Sequence, residues 1–431
     1  MKPAAIALAA CLAALPAAGQ TNRIDLIRPD APELAAPGPH PVGVRTLTLV
    51  NPDQIDVVAV TDQAIPRRDR RLTVEIWYPA AEPGSPTLYE GVLLRDGHGR
   101  VTLHGRAVRD APALTGTPWP VVILSHGYPG NRFLMSHLGE NLASKGYVVA
   151  AIDHPDSTYD DRGAFGSTLV NRPLDTRFVL EELARLGAGD GPLAGIIDAD
   201  RAAIIGYSMG GYGAVISAGA GVSARAVDLP FSAPRGLLAI HRAGSETHRA
   251  LMDPRLRAFV AIGPWGRQYG FWDAEGVAGI DRPILYVGGS VDDVSDYARG
   301  IRVLWQETTG APAWLLTFHN ANHNAAAPIP APAEAWQPSP HLDFVPFEHY
   351  ADPVWDTVRM NNILQHFVTA FLGWQLKGET ALAAYLDLIP NAGDGVHALN
   401  EDGSPKPEHS YWKGFAPRTA VGLSLEFNGV R

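Results

Sequence analysis

The pentapeptide GYSMG, Gly206 to Gly210, sets a serine among glycines directly after the apolar run Ala202 to Ile205. A serine hydroxyl is a poor nucleophile unless a base takes its proton and an acid orients that base. The G-x-S-x-G spacing suits such chemistry when it ends a strand and opens a helix, because the serine then sits on a strained turn and small neighbours let strand and helix approach. Gly211, Gly213 and Ala214 continue the run of small residues. On that turn, acid and base should follow in that chain order. PILYVGGSVDDV places Asp292 and Asp293 after an apolar run, and Asp292, three residues beyond Gly289, is the preferred acid with Asp293 as the alternative. LLTFHNANHN offers His323, in a loop just past the next apolar run, as base, with His319 as the alternative. His319 and His323 also have the i, i+4 spacing that joins two zinc ligands on a helix, but Asn320, Asn322 and Asn324 mark a loop, so no metal site is assigned. A developing oxyanion needs two preorganised N–H donors. The amide of Met209, next to the nucleophile, is one; the turn SHGYPGN, Ser125 to Asn131, is where the other should lie.

These residues need a scaffold that brings strand ends together. PWPVVILSHG, YVVAAID, RAAIIGYS, RAFVAIG, PILYVGG and AWLLTFHN are short apolar runs ending in turn residues. Between them lie helical patterns: Leu134, Leu138 and Leu142, then Leu174, Phe178, Leu183 and Leu186 in a helix opening at Pro173. This alternation predicts an α/β fold with a mostly parallel sheet covered by helices on both faces. YEGVLLRDGHGRVTLHG reads as an N-terminal β-hairpin. Residues 219–254 break the rhythm and read as a cap insertion over the strand ends. Asp352 and Pro353 form an N-cap and first-turn signal for a last helix, and 377–431 read as a short helix with an irregular extension. The core domain spans 46–376. Strand ends face the ligand in such sheets, which makes His154 in IDHPDST and Trp265 in GPWGRQYGFW weaker substrate-binding candidates, while His349 and Trp355 read as structural.

Net charge is −10 over 431 residues, and the basic run RRDRR, Arg67 to Arg71, reads as a solvated loop. Phosphate binding needs clustered lysine and arginine, so a nucleic-acid partner is not expected. The start, MKPAAIALAACLAALPAAGQ, has a basic residue, an apolar stretch too short to span a bilayer, and small residues before a cut near Gly19. It reads as a secretory signal over 1–19, followed by a Pro- and Ala-rich leader over 20–45. The rival is a lipoprotein signal at Cys11, the chain's single cysteine; after cleavage at Gly19 neither disulfides nor a cysteine nucleophile remain.

With these positions in place, the chain resembles the serine α/β-hydrolases, and among them the dienelactone-hydrolase-like and platelet-activating-factor-acetylhydrolase-like esterases. The resemblance runs from about Val42 to Leu376 and rests on VEIWYP, VVILSHGYPGNR, VVAAIDHPDSTY, IIGYSMGGYG and ANHN. His126-Gly127 is similar to the HG turn of lipases and esterases, which implies Tyr128 as the second oxyanion amide. Two departures stand out. Dienelactone hydrolases proper use a cysteine where this chain has Ser208. The acetylhydrolase acid follows the preceding strand, near Gly263, where this chain has no carboxylate. Motifs and resemblance together imply a secreted or periplasmic hydrolase of small or lipid-like carboxylic esters that uses Ser208, His323 and Asp292 and no cofactor. Its rivals are amide or peptide cleavage by the same residues, and a catalytically silent fold used for binding.

Overall fold

Consecutive residues of a buried strand point to opposite faces of the sheet, so a strand covered on both sides must be apolar at every position. Val121 and Ile123 join the core on one face, Val122 and Leu124 the core on the other. The computed structural model describes residues 21–429; the expectations for a signal over 1–19, cleavage at Gly19 and lipidation at Cys11 lie outside the described residues.

Strands β1 (Val42–Ile55) and β2 (Arg67–Pro79) precede a separate two-stranded hairpin, β3 (Leu88–Leu93) with β4 (Arg100–His104), and the short β5 (Val108–Arg109). Then come β6 (Trp119–Ser125), β7 (Val148–Asp153), β8 (Ile197–Tyr207), β9 (Leu256–Ile262), β10 (Ile284–Gly289), β11 (Ala313–Phe318) and β12 (Leu423–Asn428). The main sheet has ten strands in the order β12-β11-β10-β9-β8-β6-β7-β2-β1-β5. From β7 to β11 all neighbours are parallel, while β2 and β12 flank that block antiparallel. Helices α1 (Ser136–Ser144), α2 (Phe165–Ala188) and α3 (Met209–Ser217) follow β6, β7 and β8. The short α4 (Ala224–Val227) and α5 (Glu246–Leu251) lie in the insertion, α6 (Ala274–Ala278) and α7 (Arg302–Glu307) flank β10, and α8 (Thr357–Lys377) closes the helical layer. Leu138 of α1 and Phe367 of α8 enter one core; Leu180 of α2 and Val215 of α3 enter the other.

Five local expectations change. RRDRR is not a loop but the start of β2, and strand alternation turns Arg70 inward, where it is 5% exposed. Strand β1 begins at Val42, inside the expected leader, and Ile24 and Ala35 before it are buried. Pro173 lies within α2, which starts at Phe165. A proline cannot donate to the carbonyl four residues back, and here the Tyr212 hydroxyl donates to that Leu169 oxygen at 3.1 Å. The last helix is capped by Asp356, whose side chain accepts the Arg359 N–H, whereas Asp352 accepts the N–H groups of Val354, Trp355 and Asn322 and so ties a loop to a turn. The C-terminal extension is not only irregular: β12 covers the edge of β11 and buries Leu423 and Leu425.

Candidate active site

The end of β8 and the start of α3 make the turn that carries Ser208, with φ 54° and ψ −110°. An L-residue reaches that region only when its surroundings hold it there. The Ser208 N–H donates to the Ile262 oxygen, and its own oxygen accepts from Tyr212 and Trp265. The glycines around it answer a steric demand. A Cβ on Gly206 would lie 2.0 Å from the Gly210 oxygen, and one on Gly210 would lie 1.9 Å from the Ser125 oxygen.

His323 projects from the loop after β11. Its Nε2 lies 3.0 Å from the Ser208 Oγ and its Nδ1 2.8 Å from Asp292 Oδ2. Asp292 follows β10, and its Oδ1 accepts the N–H groups of Val294 and Ser295. The Asp292 side chain is fully buried, which keeps the His323 contact out of competition with water. The alternatives lie elsewhere: Asp293 is exposed at the cleft rim, and His319 is exposed, with its backbone engaged by Gly422 and Trp355. At Gly263, φ is 51°, and a Cβ there would sit 3.2 Å from the His323 ring and 3.5 Å from Asp292 Oδ2. The position that lacks a carboxylate is therefore filled by the acid–base pair itself.

Ser208, His323, Gly127 and Tyr128 line one open cleft of about 350 Å³. The amides of Tyr128 and Met209 make no hydrogen bond among the described residues, and Met209 begins α3, whose N-terminal end favours negative charge. The loop that carries Tyr128 is held from behind. Arg172 of α2 donates to the His126 and Gly127 oxygens and to Ser125 Oγ and Ser157 Oγ. Burial, then the positive charge of Arg172, keeps His126 well below the ordinary histidine value. Its Nε2 faces the His154 N–H as acceptor, so Nδ1 carries the proton toward the Gly127 oxygen.

His154 does not reach the cleft. It is 1% exposed, accepts from Ser125 Oγ at 3.0 Å and donates to Asp175 Oδ2 at 2.9 Å. Arg70 grips Asp175 with two donors and Asp156 with a third. Burial alone would raise the Asp175 carboxyl, but Arg70 and His154 hold it at about 2. Burial, reinforced by Arg172, holds His154 at about 3. Trp265 is not on the cleft wall either. It is partly buried among Phe165, Phe231, Tyr269 and Phe271, with its N–H on the Ser208 oxygen. The insertion at 219–254 packs beside α2, and its Phe231 reaches this cluster rather than the cleft.

The wall opposite Ser208 comes from segments that the sequence pattern did not point to: Arg95 from the hairpin, and Phe344, Glu348 and His349 from the loop before α8. His349, read as structural, does accept from or donate to the Tyr159 hydroxyl at 2.8 Å, yet it also borders the cleft. Burial, with the charge of Arg95, holds it at about 3. Asn324 links the His323 loop to the same segment by donating to the Glu348 and Ala351 oxygens. No periodicity could have joined Arg95 to residues some 250 positions later. Among the described residues, no cluster of three or more histidine, cysteine or acidic side chains could hold a metal, and no helix is long and apolar enough to cross a membrane.

Comparison with known proteins finds similarity to ester hydrolases. A family model described as PET hydrolase-like matches residues 96–235. A platelet-activating factor acetylhydrolase from Cavia porcellus is 28% identical over 128 residues, 28% of each chain. Cutinase 1 of Thermobifida cellulosilytica is 33% identical over 98 residues, 21% of this chain and 31% of that one. These matches span less than a third of either curated relative. A solved ferulic acid esterase from Streptomyces cinnamoneus superposes with a TM-score of 0.57 at 25% identity, covering 81% of this chain and 94% of that one. The serine elbow, the parallel sheet that presents it and these matches make the chain similar to the esterases among the serine α/β-hydrolases.

Proposed function

We propose that the chain hydrolyses carboxylic esters through an acyl-enzyme on Ser208. The observation that carries this is the unbroken hydrogen-bonded run from Ser208 through His323 to Asp292, opening on a cleft that Tyr128 also lines. Ser208 Oγ attacks the ester carbonyl and gives its proton to His323 Nε2. Asp292 holds the Nδ1–H tautomer and stabilises the imidazolium. The tetrahedral oxyanion takes the amides of Tyr128 and Met209. His323 then protonates the departing alcohol, and water attacks the acyl-enzyme with His323 as base, releasing the acid. No step calls on a metal or cofactor. The names of the similar proteins, acetylhydrolase, cutinase and ferulic acid esterase, support an ester as substrate rather than an amide.

A fluorophosphonate probe tests the nucleophile. Wild type should label and Ser208→Ala should not; an unlabelled wild type, or equal labelling of the variant, overturns the reading. Turnover of p-nitrophenyl acetate far above p-nitroacetanilide is expected, and the reverse order would favour amide cleavage. Export is part of the same proposal, resting on the first nineteen residues: the N-terminus of the protein recovered outside the cytoplasm should be Gln20.

A further inference from the structure

A buried guanidinium normally spends its five N–H groups on carboxylates or carbonyls, because an orphaned buried donor is costly and more so when charged. Arg70 follows that rule with three donors on Asp175 and Asp156, and Arg172, whose Nε is without a partner, still spends both Nη groups on oxygens of the Ser125–Gly127 stretch. Arg95 does not. Its Nη1 is buried without a hydrogen-bond partner, and its side chain makes no ion pair among the described residues. The guanidinium lies over the face of Phe344, 5.4 Å from the ring centre, and lines the same cleft as Ser208 and His323.

The neighbouring carboxylates do not answer it. Asp96, next in the chain, is turned away, accepting from His98, Gly99 and Ser339. Glu348 and Asp293 border the cleft but are exposed, where solvent screens them. Arg162, also exposed, adds a second positive charge that acts on Arg95 and on the Tyr128 ring.

Building on the esterase reading, we infer that Arg95 is a specificity residue that binds a carboxylate on the substrate, remote from the scissile ester, so that the preferred substrates are esters bearing a free carboxylate. A planar guanidinium suits this task because its paired N–H groups match a carboxylate fork. The guanidinium already lies against Phe344 before the substrate arrives. The missing partner then comes with the ligand.

The test compares each carboxylate ester with its neutral carboxamide isostere, with the charge on either side of the ester. On the acyl side the pair is p-nitrophenyl hydrogen adipate and p-nitrophenyl adipamate; on the alcohol side it is p-acetoxybenzoate and p-acetoxybenzamide. In at least one pair the wild type should favour the carboxylate in kcat/KM by about tenfold or more, the scale of one charge-assisted contact. Arg95→Gln should erase that ratio, and Arg95→Lys should restore part of it. Wild-type ratios near or below one in both pairs overturn the assignment even if the variants do not fold, as does an undiminished ratio in folded Arg95→Gln. Failure of the esterase reading would look different: no turnover of any ester, neutral ones included, and no fluorophosphonate labelling.

Discussion

Two Ser-His-Asp runs stand within this one molecule. Ser208, His323 and Asp292 meet at 3.0 and 2.8 Å; Ser125, His154 and Asp175 meet at 3.0 and 2.9 Å. The contact lengths do not tell them apart. Their surroundings do. Ser208 sits on a left-handed turn beside unpartnered amides in an open cleft, whereas Ser125 is 1% exposed at the end of β6, and its Oγ accepts from Arg172. Asp292 meets two backbone N–H groups, but Asp175 is gripped by Arg70. Burial keeps His154 near 3, so at neutral pH it is a neutral strut that cannot accept a serine proton productively. Three residue types at hydrogen-bond distance thus suit the proposed nucleophilic role only where backbone strain, access and unpartnered N–H groups are added. Without them the same three tie α2 to the ends of β6 and β7, and Arg70 adds β2 through Asp175.

That contrast can be broken in order of size. His323→Ala should lower kcat by about 10⁴–10⁶-fold while leaving folding intact, the scale seen when a member of a working triad is lost. A loss below tenfold in steady-state ester turnover would remove His323 from the base role. The buried run should respond in stability instead. Arg70→Met leaves buried Asp175 with only His154, and Asp156 with only Arg68 and Ser167 as side-chain partners, and should cost about 3–5 kcal/mol in urea unfolding, as for a broken buried ion pair. A change below 1 kcal/mol would mean that Arg70 is no more than a surface-like contact. Ser125→Ala should cost about 1–2 kcal/mol, and Ser208 should still label with fluorophosphonate; loss of labelling in a folded variant would show that the two runs are coupled.

Per pH unit, the contribution of one buried histidine is comparable to that of the Ser125 contact. His137, His154, His349 and His366 are held at about 3 and His241 at about 4, chiefly by burial, against an ordinary value of 6.5. Below pH 6.5 the unfolded chain therefore takes up protons that the native state refuses. Stability should fall on acidification from about 6.5 toward 3, by about 1.4 kcal/mol per pH unit for each such histidine. Asp175 has the opposite charge but the same sign of effect: its stabilisation is full above the ordinary carboxylate range and is lost as pH falls toward 2. A melting temperature unchanged between pH 7 and pH 5 would contradict the neutral buried histidines.

Much of the site could be read from sequence because its parts are local. Ser208, Asp292 and His323 each lie within five residues of the end of an apolar strand, and the fold sends successive parallel strand ends to one edge of the sheet. What misled was polarity read without its partners. RRDRR looked solvated because four arginines suggest water, and only the approach of Asp156 and Asp175, over 80 residues away, lets Arg70 go inside. Pro173 looked like a helix start until Tyr212, on another helix, took over the carbonyl that the proline leaves free. His154 looked pocket-facing because it ends a core strand, but Asp175 and Ser125 hold it in the interior.

By itself, then, the sequence determined the alternation of buried strands and helices, the glycine elbow and the strand-end placement of Ser208, Asp292 and His323, each read from neighbours a few residues apart. Only the tertiary structure decided which of two Ser-His-Asp runs opens on a cleft, that Arg70 meets two carboxylates while Arg95 pairs with none among the described residues, and that Arg95 and Phe344 line the same cleft. Those outcomes depend on burial and on partners from distant strands, and no spacing along the chain encodes them.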